Sequence, residues 1–265
     1  MRRLLRTVND ALTMSGIDLR RLARSLHDYP GYRRDLRTLK SQASAAETLF
    51  PLGRMHPCLG ERSSDSGEAR GHYFHQDLLV ARRIHEKSPE RHVDVGSRVD
   101  GFVAHVASFR PIEVLDIRPL AIEIPNVTFT QADLMNPVGA SLRGYCDSIS
   151  CLHALEHFGL GRYGDPVRYD GYLIGLANLG EILKTGGTFY LSVPIGPQRI
   201  EFNAHRVFSL GCLLSLVEKC YAIDRFSFVD DCGDLHENVR LTDAEVATNF
   251  GCTYGCAILE MTKLS

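Results

Sequence analysis

The stretch HVDVGSRVDGF, residues 92–102, decides the fold of this chain. Its first four residues contain two valines and predict a short buried strand. Gly96 follows and lets the backbone turn tightly, and a helix is expected to begin near Val99 or Asp100. Asp94 places a carboxylate at the end of the strand. A strand, a glycine turn and a helix in this order predict a site of the kind that binds nucleotides. The helix N-terminus offers free N–H groups there, beside backbone that a ligand can approach.

Short apolar runs alternate with helical segments from residue 91 onward. This alternation predicts an α/β fold, a largely parallel sheet with helices on both faces. Ligands bind such sheets at the carboxyl ends of the strands. We expect strands at 92–95, 112–116, 127–131, 146–151, 187–193, about 222–228 and 254–262, and helices at 74–87, 100–108, 171–184 and 209–219.

The residues of the turn discriminate between two kinds of ligand. A dinucleotide site needs G-x-G-x-x-G, because the pyrophosphate sits against bare backbone. Here Arg98 stands where the second glycine would be, and Asp100 would repel a pyrophosphate. Asp94 could instead bind a cationic amine through a water or a backbone group. S-adenosylmethionine has such an amine, a sulfonium and no phosphate, so the turn favours this cofactor over NAD.

Two further carboxylates follow the next two strands. Asp116 ends the second strand and could accept both ribose hydroxyls, although the same spacing serves NAD. Asp133 follows the third strand and could accept from the adenine amino group. Each also has a structural interpretation, Asp116 as a loop carboxylate and Asp133 as a turn residue. Three carboxylates at the ends of three successive strands favour the cofactor site.

Successive segments of the chain resemble the motifs of class I S-adenosylmethionine-dependent methyltransferases. The resemblance covers about residues 91–262 and implies a Rossmann-like, mostly parallel sheet of seven strands with an antiparallel last strand. From GHYFHQDLLVARRI onward the sequence also resembles a branch of uncharacterised methyltransferase-like domains associated with bacterial surface-polysaccharide genes. The matching segments are 94–101, Asp116, Asp133, CDSISCLHALEHF (146–158), EILKTGGTFYLSVP (181–194) and AHRVFSLGCLLSLVEK (204–219).

The resemblance also implies which residues contact the cofactor. Arg98 departs from the glycine-rich turn of the family. It could crowd the methionine end of the cofactor, point away from it, or pair with an acceptor or with the cofactor carboxylate. We predict that the cofactor-binding residues are Asp94, Gly96, Ser97, Arg98, Asp116, Asp133 and His153.

The segment after the fourth strand carries the predicted catalytic residues His153, Glu156 and His157. The two histidines are one helical turn apart, and a histidine near its ordinary pKa can accept a proton from a hydroxyl acceptor. Alternatively, Glu156 and His157 orient loops or cap a helix. The segment also matches H-x-x-E-H, but an inverted zinc-protease site needs a long helix here. Gly159 and Gly161 follow too soon for one.

The eight cysteines include no C-x-x-C pair. This pattern favours buried free thiols in a reducing compartment, and we expect a cytoplasmic protein. Cys252 and Cys256 are four residues apart but have no histidine nearby in the sequence, so no metal site is predicted. The sequence contains no run of about 18 apolar residues, so no membrane-spanning helix is predicted.

The charge is uneven along the chain, whose formal net charge is −2. Residues 1–45 hold ten basic and four acidic residues, so this arm could contact an anionic partner or mediate oligomerisation, or it is simply a solvated helical face. The body is acidic, so no nucleic acid is expected. We predict a helical N-terminal extension at 1–48 with breaks near 15–16 and 29–31, a loop and helix at 49–90 that form a possible lid, and a methyltransferase-like domain at 91–265.

The predicted function is methyl transfer from S-adenosylmethionine to a hydroxyl of a sugar or another small molecule. The carbohydrate acceptor, and with it a role in polysaccharide biosynthesis, rests on the resemblance to the uncharacterised branch alone. One alternative is a non-catalytic module with the methyltransferase fold. Another is a nicotinamide-dependent sugar-modifying enzyme, against which no tyrosine in the chain has a lysine four residues on.

Overall fold

The computed structural model describes residues 16, 18–45, 50–62, 67 and 69–264. The chain divides into two compact units, and the boundary falls between residues 68 and 69. The second unit contains the sheet and every residue of the predicted site. The first unit contains one long helix, α1 (Leu19–Ala45), and a segment at 50–62 without helix or strand.

An eight-stranded sheet runs through the second unit. Its strands are β1 (His92–Val95), β2 (Ile112–Asp116), β3 (Val127–Gln131), β4 (Cys146–Leu152), β5 (Leu183–Ile195), β8 (Tyr221–Val229), β9 (Leu235–His236) and β10 (Gly255–Lys263). They lie in the order β3-β2-β1-β4-β5-β10-β8-β9; pairing is parallel from β3 through β5, and β10 is antiparallel to both of its neighbours. The predicted architecture is thus confirmed, with the two-residue strand β9 added at the edge. A separate ribbon pairs β6 (Arg199–Glu201) with β7 (His205–Val207).

Helices cover both faces of the sheet. They are α2 (His72–Lys87), α3 (Ala104–Ala107), α4 (Gly171–Ile182), α5 (Leu210–Val217) and α6 (Asp243–Thr248). One apolar cluster contains residues of α4 and α5, and a second contains residues of α2 and α3. Successive strand residues alternate between them: Leu191 packs in the first cluster and Tyr190 in the second. The sheet is therefore buried from both sides.

Two predicted helix details are wrong. The predicted break at residues 29–31 does not occur, because α1 continues through Pro30. Pro30 is exposed, so water can hydrate the carbonyl group that the missing N–H leaves unpaired. The helix expected at 100–108 is instead a π-helical turn at Val99–Val103 followed by the single turn of α3. Gly101 has non-helical dihedral angles there (φ −123°, ψ −112°) and interrupts the helix. The other predicted break, near 15–16, lies at the edge of the described residues.

Among the described residues, no helix has the length and apolar character needed to cross a membrane.

Candidate functional site

Asp94 lies beneath the glycine turn and is fully buried. The Ser97 backbone N–H (3.1 Å), the Ser97 hydroxyl (2.8 Å) and the Ser150 hydroxyl (2.5 Å) donate hydrogen bonds to its carboxyl group. Burial raises the pKa of Asp94 to about 7, although the serine hydrogen bonds act in the opposite direction. The carboxyl group therefore holds the turn in shape from inside the protein.

Gly96 lets β1 approach the segment after β4. Its φ is +77°, and an added Cβ would lie 2.8 Å from the Cβ of Ala154. A side chain here would meet both backbone strain and a clash. The glycine is required by the packing of two chain segments as well as by the turn.

A cleft opens at the carboxyl ends of β1 to β4. Its cavity volume is about 60 Å³, below the usual range for small-molecule sites, so the lining must move apart to admit a ligand of cofactor size. Three carboxylates and one guanidinium line it, together with two histidines and apolar side chains. The lining residues are Val95, Gly96, Leu115, Asp116, Ile117, Arg118, Ala132, Asp133, Leu134, Met135, His153, Ala154, His157, Phe158, Tyr163 and Asp165.

Asp116 lies at the end of β2 and is engaged by Arg118. Arg118 donates from its Nε (3.0 Å), from an Nη (2.5 Å) and from its backbone N–H (2.8 Å) to the Asp116 carboxylate. The guanidinium carbon also lies 4.6 Å from the centre of the Tyr163 ring, a cation–π contact. The carboxylate predicted to accept ribose hydroxyls is thus already paired. Sequence reasoning did not include Arg118, although its position two residues beyond Asp116 was a usable signal.

Asp133 and Asp165 each stabilise a loop at the cleft. Asp133 accepts hydrogen bonds from the Met135 backbone N–H (2.9 Å) and the Asn136 side chain (3.1 Å). Asp165 accepts from the backbone N–H groups of Gly159 (2.8 Å), Gly161 and Tyr163. The loop around Asp165 carries Tyr163, and Asp165 thereby fixes the aromatic ring that covers Arg118.

Arg98 lies outside the cleft. Its guanidinium forms a two-point ion pair with Asp100, at 3.0 Å and 2.7 Å, and both side chains are exposed. Arg98 lines a neighbouring pocket that also includes Asp116 and Arg118. Ser97 is buried against Asp94, so neither residue is among those that line the cleft in the described part of the chain.

His153, Glu156 and His157 converge after β4, and both histidines line the cleft. The Nδ1 of His153 lies 2.7 Å from a carboxylate oxygen of Glu156, which is fully buried. Burial lowers the pKa of His153, but the neighbouring Cys256 and Glu156 reverse this and raise the pKa well above the usual value. Burial raises the pKa of Glu156, but His153 outweighs it, so the net shift is downward. Glu156 is therefore a buried carboxylate that orients a histidine.

His157 has a different environment. Its Nδ1 lies 2.6 Å from the backbone carbonyl oxygen of Ala204, so Nδ1–H donates and Nε2 carries the lone pair. Burial lowers the pKa of His157 despite the nearby Glu156. A neutral imidazole with its lone pair on Nε2, 3.7 Å from the Glu156 carboxylate, is suited to accept a proton.

The beginning of α2 completes the surroundings of His153. The ring of His72 stacks on that of His153 with centroids 5.1 Å apart, and Tyr73 contacts it at the same distance. Burial and the neighbouring His153 lower the pKa of His72 to about 4. His153 has a left-handed backbone (φ +49°), and its N–H donates to the backbone oxygen (3.0 Å) and the hydroxyl (3.1 Å) of Ser192. Sequence patterns do not reveal this convergence, because the segments are far apart in the chain.

Comparisons with known proteins agree with this architecture. A family described as Caenorhabditis protein of unknown function, DUF268, matches residues 128–245, less than half of the chain. No curated protein matches the sequence.

Many solved structures resemble the second unit. The [4+2]-cyclase SpnF matches with a TM-score of 0.51 at 12% identity, over 75% of this chain and 86% of that one. The N-methyltransferase NodS from Bradyrhizobium japonicum, in complex with S-adenosylhomocysteine, has a TM-score of 0.49 at 12% identity over 74% and 89%. The 1,6-didemethyltoxoflavin N1-methyltransferase from Burkholderia thailandensis has 0.49 at 15% over 72% and 79%. At these identities the likeness concerns the fold alone, a Rossmann-like α/β fold.

Proposed function

We propose that this chain binds S-adenosylmethionine in the cleft at the ends of β1 to β4 and transfers its methyl group to a small-molecule hydroxyl. The observation that carries the proposal is the charge of the cleft, whose lining has three carboxylates against one guanidinium and His153, whose pKa is raised. An acidic cleft favours a cofactor with a sulfonium and an ammonium group and disfavours a pyrophosphate. Solved structures with this fold include N-methyltransferase NodS in complex with S-adenosylhomocysteine, which supports the same cofactor.

The cofactor would lie with its adenosine between Gly96 and Asp133. Asp133 would accept from the adenine amino group, and Asp116 would accept from the ribose hydroxyls once Arg118 has moved off the carboxylate. Asp94 acts indirectly in this arrangement, because its side chain is buried beneath the turn. This placement assigns contacts to three of the residues proposed from the sequence and a supporting role to Asp94.

His157 is the proposed general base. Methyl transfer needs mainly alignment, since the sulfonium is already a good leaving group, but a hydroxyl acceptor must also lose a proton. The Nε2 of His157 lies 3.7 Å from Glu156, beyond hydrogen-bond distance, whereas the Nδ1 of His153 pairs with Glu156 at 2.7 Å. A carbohydrate is the acceptor class we would screen first, on the resemblance of the sequence alone.

Equilibrium binding tests the cofactor part of the proposal. Isothermal titration with S-adenosylhomocysteine should give saturable binding, and NAD should give none. Asp133→Ala should weaken the binding at least tenfold, whereas Asp224→Ala, an exposed carboxylate outside the cleft, should leave it unchanged. Binding of NAD in place of S-adenosylhomocysteine would refute the proposal.

The base is tested separately from the cofactor. With an acceptor from a screen that uses methyl-labelled S-adenosylmethionine, His157→Gln should slow turnover by about 10²- to 10⁴-fold while cofactor affinity stays unchanged. His205→Gln, a neighbouring histidine that pairs with Glu201, is the matched control. Equal losses in both variants would remove His157 from the role.

One specific observation favours a second candidate, a methyltransferase fold used without methyl transfer. Arg118 occupies the Asp116 carboxylate with three hydrogen bonds. SpnF, which has this fold, is a [4+2]-cyclase by its printed name. Cofactor binding without methylation of any acceptor, or no cofactor binding at all, would support this candidate.

A further inference from the structure

Three side chains of types that can ligate a metal ion come together from distant segments of the chain, and His153 is one of them. His72 is the first residue of α2, His153 follows the last residue of β4, and Cys256 is the second residue of β10. One ligand atom from each lies within 4.8 Å of the others. Among the described residues this is the one such cluster of three or more histidine, cysteine or acidic side chains. Cys256 is fully buried and His153 nearly so.

The Nε2 of His153 is a buried nitrogen without a hydrogen-bond partner among the described residues. The opposite nitrogen, Nδ1, faces the Glu156 carboxylate at 2.7 Å and donates its proton there. A metal ion would take the place of the proton on Nε2, because a histidine binds a metal through a deprotonated nitrogen. A buried polar atom normally has a partner, so this nitrogen requires an explanation. A carboxylate that holds the far nitrogen of a histidine is the usual support of a metal-ligating histidine.

The second histidine is held in a similar way. A backbone hydrogen bond with Tyr254 engages the ring of His72. The two stacked rings have centroids 5.1 Å apart. An imidazole binds a metal through a lone pair in the plane of its ring, so the His72 ring must turn from this stacked position to share an ion with His153. His72 is only half-buried, so it can make the small movement that would close the cluster around an ion.

We propose that His72, His153 and Cys256 bind a divalent transition-metal ion of the zinc type. Two imidazoles and one thiolate are ligands that zinc prefers, whereas magnesium and calcium prefer oxygen. Three protein ligands leave a fourth position for a water or another oxygen ligand. The ion would tie the start of α2 to the end of β4 and the start of β10, and would fix the His153 ring at the cleft wall. The site does not depend on the proposed methyl transfer.

Cobalt binding tests the site directly. The full chain, treated with a chelator and kept reduced, is titrated with Co²⁺ alone. We expect one equivalent to bind with visible d–d bands and a near-ultraviolet thiolate-to-cobalt band, and Zn²⁺ to displace it. Cys256→Ser should abolish the thiolate band and weaken binding at least tenfold. Cys252→Ser, a buried cysteine outside the cluster, should retain both.

Two further variants distinguish loss of the metal site from a folding defect. His72→Ala changes a half-buried residue at a helix start and should weaken Co²⁺ binding at least tenfold with an unchanged far-ultraviolet circular dichroism spectrum. Glu156→Gln should weaken binding about 10- to 100-fold, as loss of the outer-shell partner does elsewhere. Absence of saturable Co²⁺ binding, or a thiolate band that survives Cys256→Ser, would overturn the proposal and leave a buried thiol beside two imidazoles. Since neither cofactor nor acceptor is present, this outcome is independent of the outcome of the S-adenosylhomocysteine titration.

Discussion

Asp94 shows how a single residue can serve a site without facing it. Its position before the glycine suggested a contact with the cofactor amine, but three hydrogen bonds from Ser97 and Ser150 engage it inside the protein. Below it, the buried His92 lies 3.1 Å from the same Ser150 hydroxyl. Burial raises the pKa of Asp94 to about 7 and lowers that of His92 to about 3, so both groups favour their neutral forms. The turn therefore rests on a polar network that carries little charge.

This network predicts a specific pH dependence of stability. The folded-state pKa of Asp94 lies above the unfolded value of 3.8, so its contribution is full below about pH 4 and is lost as the pH rises through about 7. The stability of the wild type relative to Asp94→Asn should fall by about 4 kcal/mol from pH 4 to pH 8. Urea unfolding across this range measures it, with Asp224→Asn as the exposed control. A difference that does not change with pH would contradict the buried, protonated carboxyl group.

Arg118 occupies the Asp116 carboxylate that is proposed to accept the ribose hydroxyls. If the ribose must displace Arg118 from Asp116, then Arg118→Leu should tighten the binding of S-adenosylhomocysteine by up to about fivefold, equivalent to about 1 kcal/mol for a partly exposed ion pair. Arg143→Leu removes an exposed ion pair with Glu181, which is outside the cleft lining, and should have no effect. Weaker binding after Arg118→Leu would mean that Arg118 contacts the ligand instead.

At the scale of elements, the turn after β1 depends on contacts from two other segments. Ala154 packs against Gly96 from the segment after β4, and the Asp77 carboxylate of α2 lies 2.8 Å from where a Cβ on Gly101 would be. The π-helical turn at Val99–Val103 is therefore shaped partly by a helix that precedes it in the chain. Periodicity within residues 99–108 could not predict it, because the deciding contact is not local.

A matched pair of glycines isolates the contact at the turn. Gly96 and Gly186 both have φ +77°, but only the Cβ at Gly96 would meet a neighbour, Ala154, within 4 Å. Each change to alanine adds about 1–2 kcal/mol of backbone strain. Gly96→Ala should cost about 1–3 kcal/mol more than Gly186→Ala, because it also overpacks the turn. It should also abolish S-adenosylhomocysteine binding, which Gly186→Ala should retain; equal effects on stability and binding would argue against the turn as the site.

Across the whole molecule, local sequence signals were sufficient to predict where the main strands of the sheet lie in the chain. Strands β1 to β3 match the predicted bounds residue for residue, since each is a short run that includes residues favouring strands and lies between turn residues. The antiparallel direction of β10 came from the resemblance to a known fold, and the order of the strands was not predicted. Contacts between distant segments were beyond prediction: nothing local joins His72 to Cys256, and the Asp116–Arg118 pair was overlooked. The role of the basic arm and of the expected lid at 49–90 stays a prediction.

A crystal structure of the chain grown with S-adenosylhomocysteine tests most directly whether the cleft at the ends of β1 to β4 binds S-adenosylmethionine. We expect the adenine against Asp133, the ribose at Asp116 with Arg118 displaced, and the methionine portion near Gly96 and His153. The thioether sulfur should lie in the cleft on the side of His157, where an acceptor hydroxyl can reach both. Density for the ligand elsewhere, or a cleft that stays closed by the Asp116–Arg118 pair at saturating ligand, would contradict the assignment of this cleft to S-adenosylmethionine.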